Sequence, residues 1–192
     1  FAAEASGPTH DKVHPRIGVT AKWIWGIYAG MTGTLILLLV FGGMGIFDSI
    51  CHAFATTGTG GFSTKQASIE HYQSPYIEYV ISIFMFLSGV NFTLLLLLVN
   101  GKIKKFIHDA ELKWYFMSVV FFTAFIAIWL YETSPISIEE AFRKSLFQVI
   151  SLHTSTGFAT TDYMLWPSIL WGCLIIVMIV GACAGSTTGG IK

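Results

Sequence analysis

Long charge-free runs alternate with short polar ones along this chain. Residues 23–44 pass 22 positions without Asp, Glu, Lys or Arg. At the rise of an α-helix that is roughly 33 Å, enough to cross the hydrocarbon core of a bilayer. Residues 79–99 and 114–131 are likewise uncharged over 21 and 18 positions, and each predicts a further span. A fourth run opens at Trp166-Pro167, with proline where a first helical turn tolerates it. It stays apolar only to Val180, about 21 Å of helix and too short to cross. The pattern predicts an all-α membrane protein with three full spans and one interrupted one.

Two stretches between these spans have helical patterning but are too short to cross. Residues 46–57 read IFDSICHAFATT and residues 138–153 read IEEAFRKSLFQVISLH. Each runs into a segment of Gly and Thr, GTGGFST in the first case and TSTGFAT in the second. An offset of 96 positions superposes Ser49 on Ser145, Gly61 on Gly157, Phe62 on Phe158 and Thr64 on Thr160. Upstream, Lys22-Trp23 recurs as Lys113-Trp114. This is an internal repeat whose unit is membrane span, short helix, Gly/Thr strand, membrane span.

Composition sharpens the membrane reading. Only 11% of residues are charged and 54% are hydrophobic, with a mean hydropathy of +0.66; an average soluble domain is about 25% charged. Eleven basic residues balance eleven acidic ones, which excludes the basic face of a nucleic-acid binder. Three scattered cysteines form neither a disulfide framework nor a zinc spacing. The charges are not evenly placed. With an even number of crossings per repeat, one side holds Lys12, Arg16, Lys22, Lys102, Lys104, Lys105, Lys113 and Lys192 against Glu4, Asp11, Asp109 and Glu111. The other holds Lys65, Arg143 and Lys144 against Asp48, Glu70, Glu78, Glu132, Glu139, Glu140 and Asp162. Lys and Arg mark the cytoplasmic side, so both Gly/Thr segments are expected to enter from outside. The first 22 residues lack the apolar stretch of a secretory signal. Without an initiator Met, and with its last helix unfinished at Lys192, the chain reads as an internal piece of a longer protein.

Non-helical backbone at membrane depth is tolerated only where protein buries it or where it lines a wet cavity. Gly58, Thr59, Gly60 and Gly61, and Thr154, Ser155, Thr156 and Gly157, offer mainly backbone carbonyls and hydroxyls. Glycine lets successive carbonyls face one way, and a ring of carbonyls can replace a cation's hydration shell. The carboxyl end of the preceding short helix also favours a cation. Either segment alone reads more readily as a surface turn; recurrence in register, each behind a short helix, favours a pore. The second candidate is the interruption itself: Gly181, Ala182, Cys183, Ala184, Gly185, Ser186, Thr187, Thr188, Gly189 and Gly190. It lacks the Walker phosphate-loop pattern and is expected to be a flexible intramembrane loop beneath the filter, or else simply a helix end.

Other polar residues read as structural. His52 and His153 lack partners at ligand spacing and are expected to be satisfied packing histidines. Ser88, Asn91 and Thr123 read as hydrogen-bond links between helices. Glu139 and Glu140 suit the positive end of a short helix. No catalytic set is visible.

At these residues the sequence resembles the Trk/Ktr/HKT superfamily of potassium transporters, most closely the bacterial Trk-type membrane subunit. The match rests on ATTGTGGFSTKQASIEHY from Ala55 and SPYIEYVISIFMFLSGVNF from Ser74. It continues in FRKSLFQVISLHTSTGFATTDYMLWP from Phe142, GACAGSTTGGIK from Gly181 and GPTHDKVHPR from Gly7. The resemblance implies four membrane–pore–membrane repeats around one pore, of which residues 21–100 resemble the second and residues 113–192 the third. Residues 1–20 and 101–112 would be cytoplasmic. It implies potassium uptake across the bacterial plasma membrane, with Gly61 and Gly157 as filter glycines and 181–190 as the gating loop. Potassium is then the substrate, held only by filter carbonyls, and no cofactor is implied. The implied partners are a second copy of the complete subunit, the bilayer, and cytosolic nucleotide-binding regulatory subunits docking near residues 100–113; nucleic acid is not among them. The first-repeat filter, which separates potassium-selective from sodium-permeable members, is not in this sequence. A sodium-permeable or poorly selective transporter therefore stays open as an alternative, and an intramembrane enzyme as a remote one.

Overall fold

The computed structural model describes residues 17–191, and every regular element in it is helical. Helix α1 (Ile17–Phe41) turns at Gly43 (φ +89°) into the short α2 (Ile46–Thr57). A 3-10 turn (Ser68–Tyr72) leads to α3 (Pro75–Ser88), then α4 (Phe92–Val99) and α5 (Ile103–His108). The second unit repeats the order with α6 (Ala110–Thr133), the short α7 (Ile138–His153), a 3-10 turn (Tyr163–Leu165) and α8 (Ser168–Val180). The bounds of α2 and α7 are those expected from sequence.

Of the three full spans expected, two are single helices and the third is a bent pair. Two straight helices, Ala21–Phe41 within α1 and Ala110–Thr133, are long and apolar enough to cross a bilayer. The uncharged run 79–99 is not one helix: α3 and α4 meet at 105° across residues 89–91. At this break Asn91 turns its side-chain oxygen onto the Thr93 amide and caps α4, satisfying an orphan donor of a new helix start. α8 ends at Gly181 (φ +67°), a conformation glycine adopts without a Cβ penalty.

α2 packs on α1 and α3, while α7 is enclosed by α3, α6 and α8. One apolar cluster joins Leu35, Leu39, Ile81 and Met85 to Phe147 and Phe158 of the second unit; a smaller one joins Ile126 and Leu130 to Leu170, Leu174 and Val177. Trp25, Phe41, Trp114, Phe121 and Ile128 are outward and exposed, an apolar surface suited to hydrocarbon. Where α3 crosses α7, Arg143 bonds to the largely buried Glu78 and to Glu139 (2.9 Å), which also accepts the Tyr79 hydroxyl (3.1 Å). Glu140 pairs with Lys144 at 2.7 Å. The cap of α7 is Ser137, accepting from the Glu140 amide, so the two glutamates serve ion pairs rather than the helix end alone.

Candidate functional site

The two Gly/Thr segments leave their helices through one hydrogen-bond pattern. In the first, the amides of Gly58, Thr59 and Gly60 donate to the carbonyls of Phe54, Thr56 and Ala55 at 2.9, 3.2 and 2.7 Å. In the second, Thr154, Ser155 and Thr156 donate to Ile150, Leu152 and Ser151 at 2.9, 3.0 and 2.8 Å. Every partner obeys the 96-residue offset. Thr59 and Ser155 have φ of +50° and +55°, and Gly61 and Gly157 follow at +65° and +85°. The left-handed region is costly for a residue with a Cβ, and it recurs at matched positions.

The segments also touch. A Cβ placed on Gly61 would overlap the Thr156 carbonyl oxygen, whereas one on Gly157 would meet nothing among the described residues. Glycine at 61 is therefore required twice, by conformation and by space.

Residues 181–190 lie against this pair. The Thr187 hydroxyl is within hydrogen-bond distance of the Thr57 carbonyl (3.2 Å) and the Ser88 carbonyl (3.3 Å). The Thr59 hydroxyl is shared between its neighbour Gly58's carbonyl (2.8 Å) and the Thr187 carbonyl (2.9 Å). A Cβ on Gly189 would sit 3.2 Å from the Ser155 hydroxyl. The loop thus contacts both Gly/Thr segments.

Its other anchor is the break between α3 and α4. The Cys183 amide donates to the Gly89 carbonyl (3.1 Å), and the Phe92 amide donates to the Gly185 carbonyl (3.2 Å). The Ala184 amide donates to the Glu111 carboxylate at the start of α6. Each unit's last membrane helix is interrupted at a glycine 14 positions after a proline, Pro75 to Gly89 and Pro167 to Gly181. That spacing is the signal by which the first break could have been read; an unbroken count of apolar residues hides it.

The expected roles of the other polar residues divide. The His52 Nδ1 faces the Asp48 carbonyl (2.7 Å) and its Nε2 the Ser63 hydroxyl (2.8 Å). A carbonyl only accepts, so Nδ1 carries the proton and Nε2 accepts from Ser63; burial lowers the pKa of this ring and keeps it neutral. His153 is only half satisfied: Ser118 meets Nε2 at 2.7 Å, and Nδ1 has no partner among the described residues. Asn91 is a helix cap and Ser88 bonds within its own helix, to Phe84. The Thr123 hydroxyl has no partner among the described residues, where none of the three side chains links helices as expected. Among the described residues no three His, Cys, Asp or Glu are grouped to hold a metal.

A polar cluster that sequence reasoning missed joins the far end of the first segment to the start of α2. The Thr64 hydroxyl donates to Asp48 Oδ1 (2.6 Å), the Tyr72 hydroxyl to Oδ2 (3.0 Å), and Lys65 Nζ lies 3.1 Å from Oδ2. Thr64 above all, then Lys65 and Tyr72, hold the Asp48 carboxyl down to about 2. Burial, with Asp48 beside it, pushes Tyr72 up to about 12.

The chain is similar to known membrane transport proteins over its whole length. The family model described as TrkH, cation transport protein, matches residues 3–192. The Trk system potassium uptake protein TrkH of Escherichia coli (strain K12) is 40% identical over the whole of this chain and 40% of its own length. The Trk system potassium uptake protein TrkG of the same strain is 34% identical, again over the whole chain and 40% of its length. The crystal structure of the potassium transporter TrkH from Vibrio parahaemolyticus superposes with a TM-score of 0.86 at 35% identity, over 94% of this chain and 39% of that one. The chain spans about two-fifths of the length of these relatives. It belongs to the TrkH family of cation transport proteins.

Proposed function

We propose that this chain supplies two of the filter segments and the gating loop of a potassium uptake transporter. The observation that carries the reading is the matched backbone at 58–61 and 154–157, with Gly61 against the Thr156 carbonyl and Thr59 hydrogen-bonded to Thr187 of residues 181–190. Uncharged carbonyls can take the place of a cation's water without trapping it. Relatives named for potassium uptake support the choice of ion. Members of the family are transporters rather than enzymes, and the enzyme alternative falls with that.

In this reading the carbonyls of Gly58, Thr59, Gly60, Thr154, Ser155 and Thr156, up to Gly61 and Gly157, line the ion path. Potassium is the cargo and no cofactor takes part. Residues 21–100 and 113–192 are two membrane–pore–membrane repeats joined by a cytoplasmic segment, 101–112. The excess of Lys and Arg there supports filter entry from outside; Lys12, Arg16 and Lys192, part of the same count, lie outside the described residues, as do most of residues 1–20. The complete protein sits in the bacterial plasma membrane, pairs with a second copy, and takes its cytosolic nucleotide-binding regulators near residues 100–113. The test is uptake in a potassium-requiring strain carrying the complete protein. Gly61→Val is expected to abolish growth at low potassium with normal membrane levels of protein; undiminished, selective uptake would overturn the filter assignment. Shortening residues 181–190 is expected to raise flux, and an unchanged flux would overturn the gate.

A further inference from the structure

The two filter segments differ at their far ends. In the first, Asp48 accepts Thr64 and Tyr72, and His52 accepts Ser63, whose oxygen in turn accepts the Lys65 amide at 3.0 Å. The 96-residue offset maps Asp48 to Lys144, His52 to Gln148, Ser63 to Ala159 and Thr64 to Thr160. Among the described residues none of these bonds has a counterpart. The Gln148 Oε1 and the Thr160 Oγ1 are buried and without a partner among the described residues. The second segment is tied instead to the first unit's 3-10 turn: the Ala159 amide donates to the Ser68 hydroxyl (3.3 Å) and the Ala159 carbonyl accepts the Glu70 amide (3.2 Å).

A carboxylate bound to a hydroxyl three residues past a filter glycine fixes where the intervening backbone runs. Charge-assisted bonds of this kind are short and directional. The second segment is held by other bonds, Ala159 to Ser68 and Glu70 and the Ser151 hydroxyl to the Phe158 carbonyl (2.6 Å), and has no carboxylate among them. We propose that Asp48, with His52, Thr64 and Tyr72, is a positioning clamp for the first filter segment, and that discrimination between potassium and sodium depends on it through that segment alone. Asp48 touches no ion in this role; it sets the spacing of the carbonyls of Gly60 and Gly61 through Thr64. The inference rests on the filter reading.

The experiment measures sodium inhibition of rubidium uptake by the complete transporter in four variants. Thr64→Val, which keeps the shape and removes the bond, is expected to weaken discrimination against sodium about fivefold, the loss matching one net hydrogen bond at an exposed position. Thr64→Ser keeps the hydroxyl and is expected to restore it. Thr160→Val removes only an orphaned hydroxyl and is expected to leave discrimination unchanged. Gly61→Ala tests the filter itself. Altered selectivity in Gly61→Ala with none in Thr64→Val overturns the clamp alone; no alteration in Gly61→Ala overturns the filter reading and the clamp with it. Equal effects of Thr64→Val and Thr160→Val overturn the claim that one segment carries the discrimination. Should Thr64→Val abolish uptake, the purified protein is melted in potassium chloride and in sodium chloride, since a bound ion stabilises by mass action. A narrowed difference between the two salts supports the clamp, and an undiminished one overturns it.

Discussion

The two units of this chain share a backbone and differ in what surrounds it. Matched amides bond to matched carbonyls at the ends of α2 and α7, with left-handed residues at equivalent places. Yet Phe158 is fully buried, near the His52 ring of the first unit, while its counterpart Phe62 is 82% exposed. Gly61 is crowded by Thr156, and Gly157 is open. The break in the last helix occupies three residues in one unit, whereas residues 181–190 of the other form no regular element. Local sequence therefore decides the conformation of each segment, and the neighbouring unit decides its burial. The second unit is seated on the first, and the loop binds both.

The comparison can be broken most forcefully at the joint between units. Glu78 and Arg143 are largely buried where α3 crosses α7. Removing one partner leaves an uncompensated charge, so Arg143→Ala is expected to cost about 3–5 kcal/mol of stability. Replacing both residues with apolar ones of similar volume should cost much less, as thermal melts of the detergent-solubilised complete protein would check. A smaller effect separates the glycines. Gly157→Ala bears only the left-handed penalty of about 1–2 kcal/mol, whereas Gly61→Ala also collides with a carbonyl. Gly61→Ala should therefore reduce uptake more, measured as rubidium flux at matched expression; equal losses would contradict the crowding.

The helix starts differ as well. Ser137 caps α7, but Gly45 offers α2 no side-chain cap. Ser137→Ala is expected to lower stability by about 1 kcal/mol, and Gly45→Ser to raise it by a few tenths; melting temperatures read both. Smallest is the response to acid. The folded pKa of Asp48 lies below its ordinary value, so its contribution is present above the ordinary carboxylate range and is lost only as pH falls through about 2. Selectivity attributable to Thr64 should thus be constant from pH 8 to about pH 4 in liposome flux, and a loss beginning near pH 6 would point to another group.

Much of this was legible in sequence because it is periodic or local. The apolar runs marked α1, α6 and α8, and the polar moderation of 46–57 and 138–153 marked two short helices whose bounds the structure repeats. The break at 89–91 was not legible from hydropathy, since Gly89 and Asn91 interrupt a helix without adding charge. Its cause is tertiary: the freed Gly89 carbonyl and Phe92 amide are satisfied by Cys183 and Gly185, more than 90 positions away in the chain. The Asp48–Thr64 contact was hidden for the same reason, since it forms only once the segment doubles back past its own helix. Residue type alone suggests interhelical bonds for Ser88 and Asn91, but a back-bonding hydroxyl and a helix cap satisfy them locally.

The most direct test of the central claim is the position of a heavy potassium analogue. Crystals of the complete protein in rubidium should give anomalous density coordinated by the carbonyls of Gly60 and Thr156, above the loop at 181–190. Rubidium bound elsewhere along the path, with none in contact with either carbonyl, would contradict the assignment of the two segments as the filter.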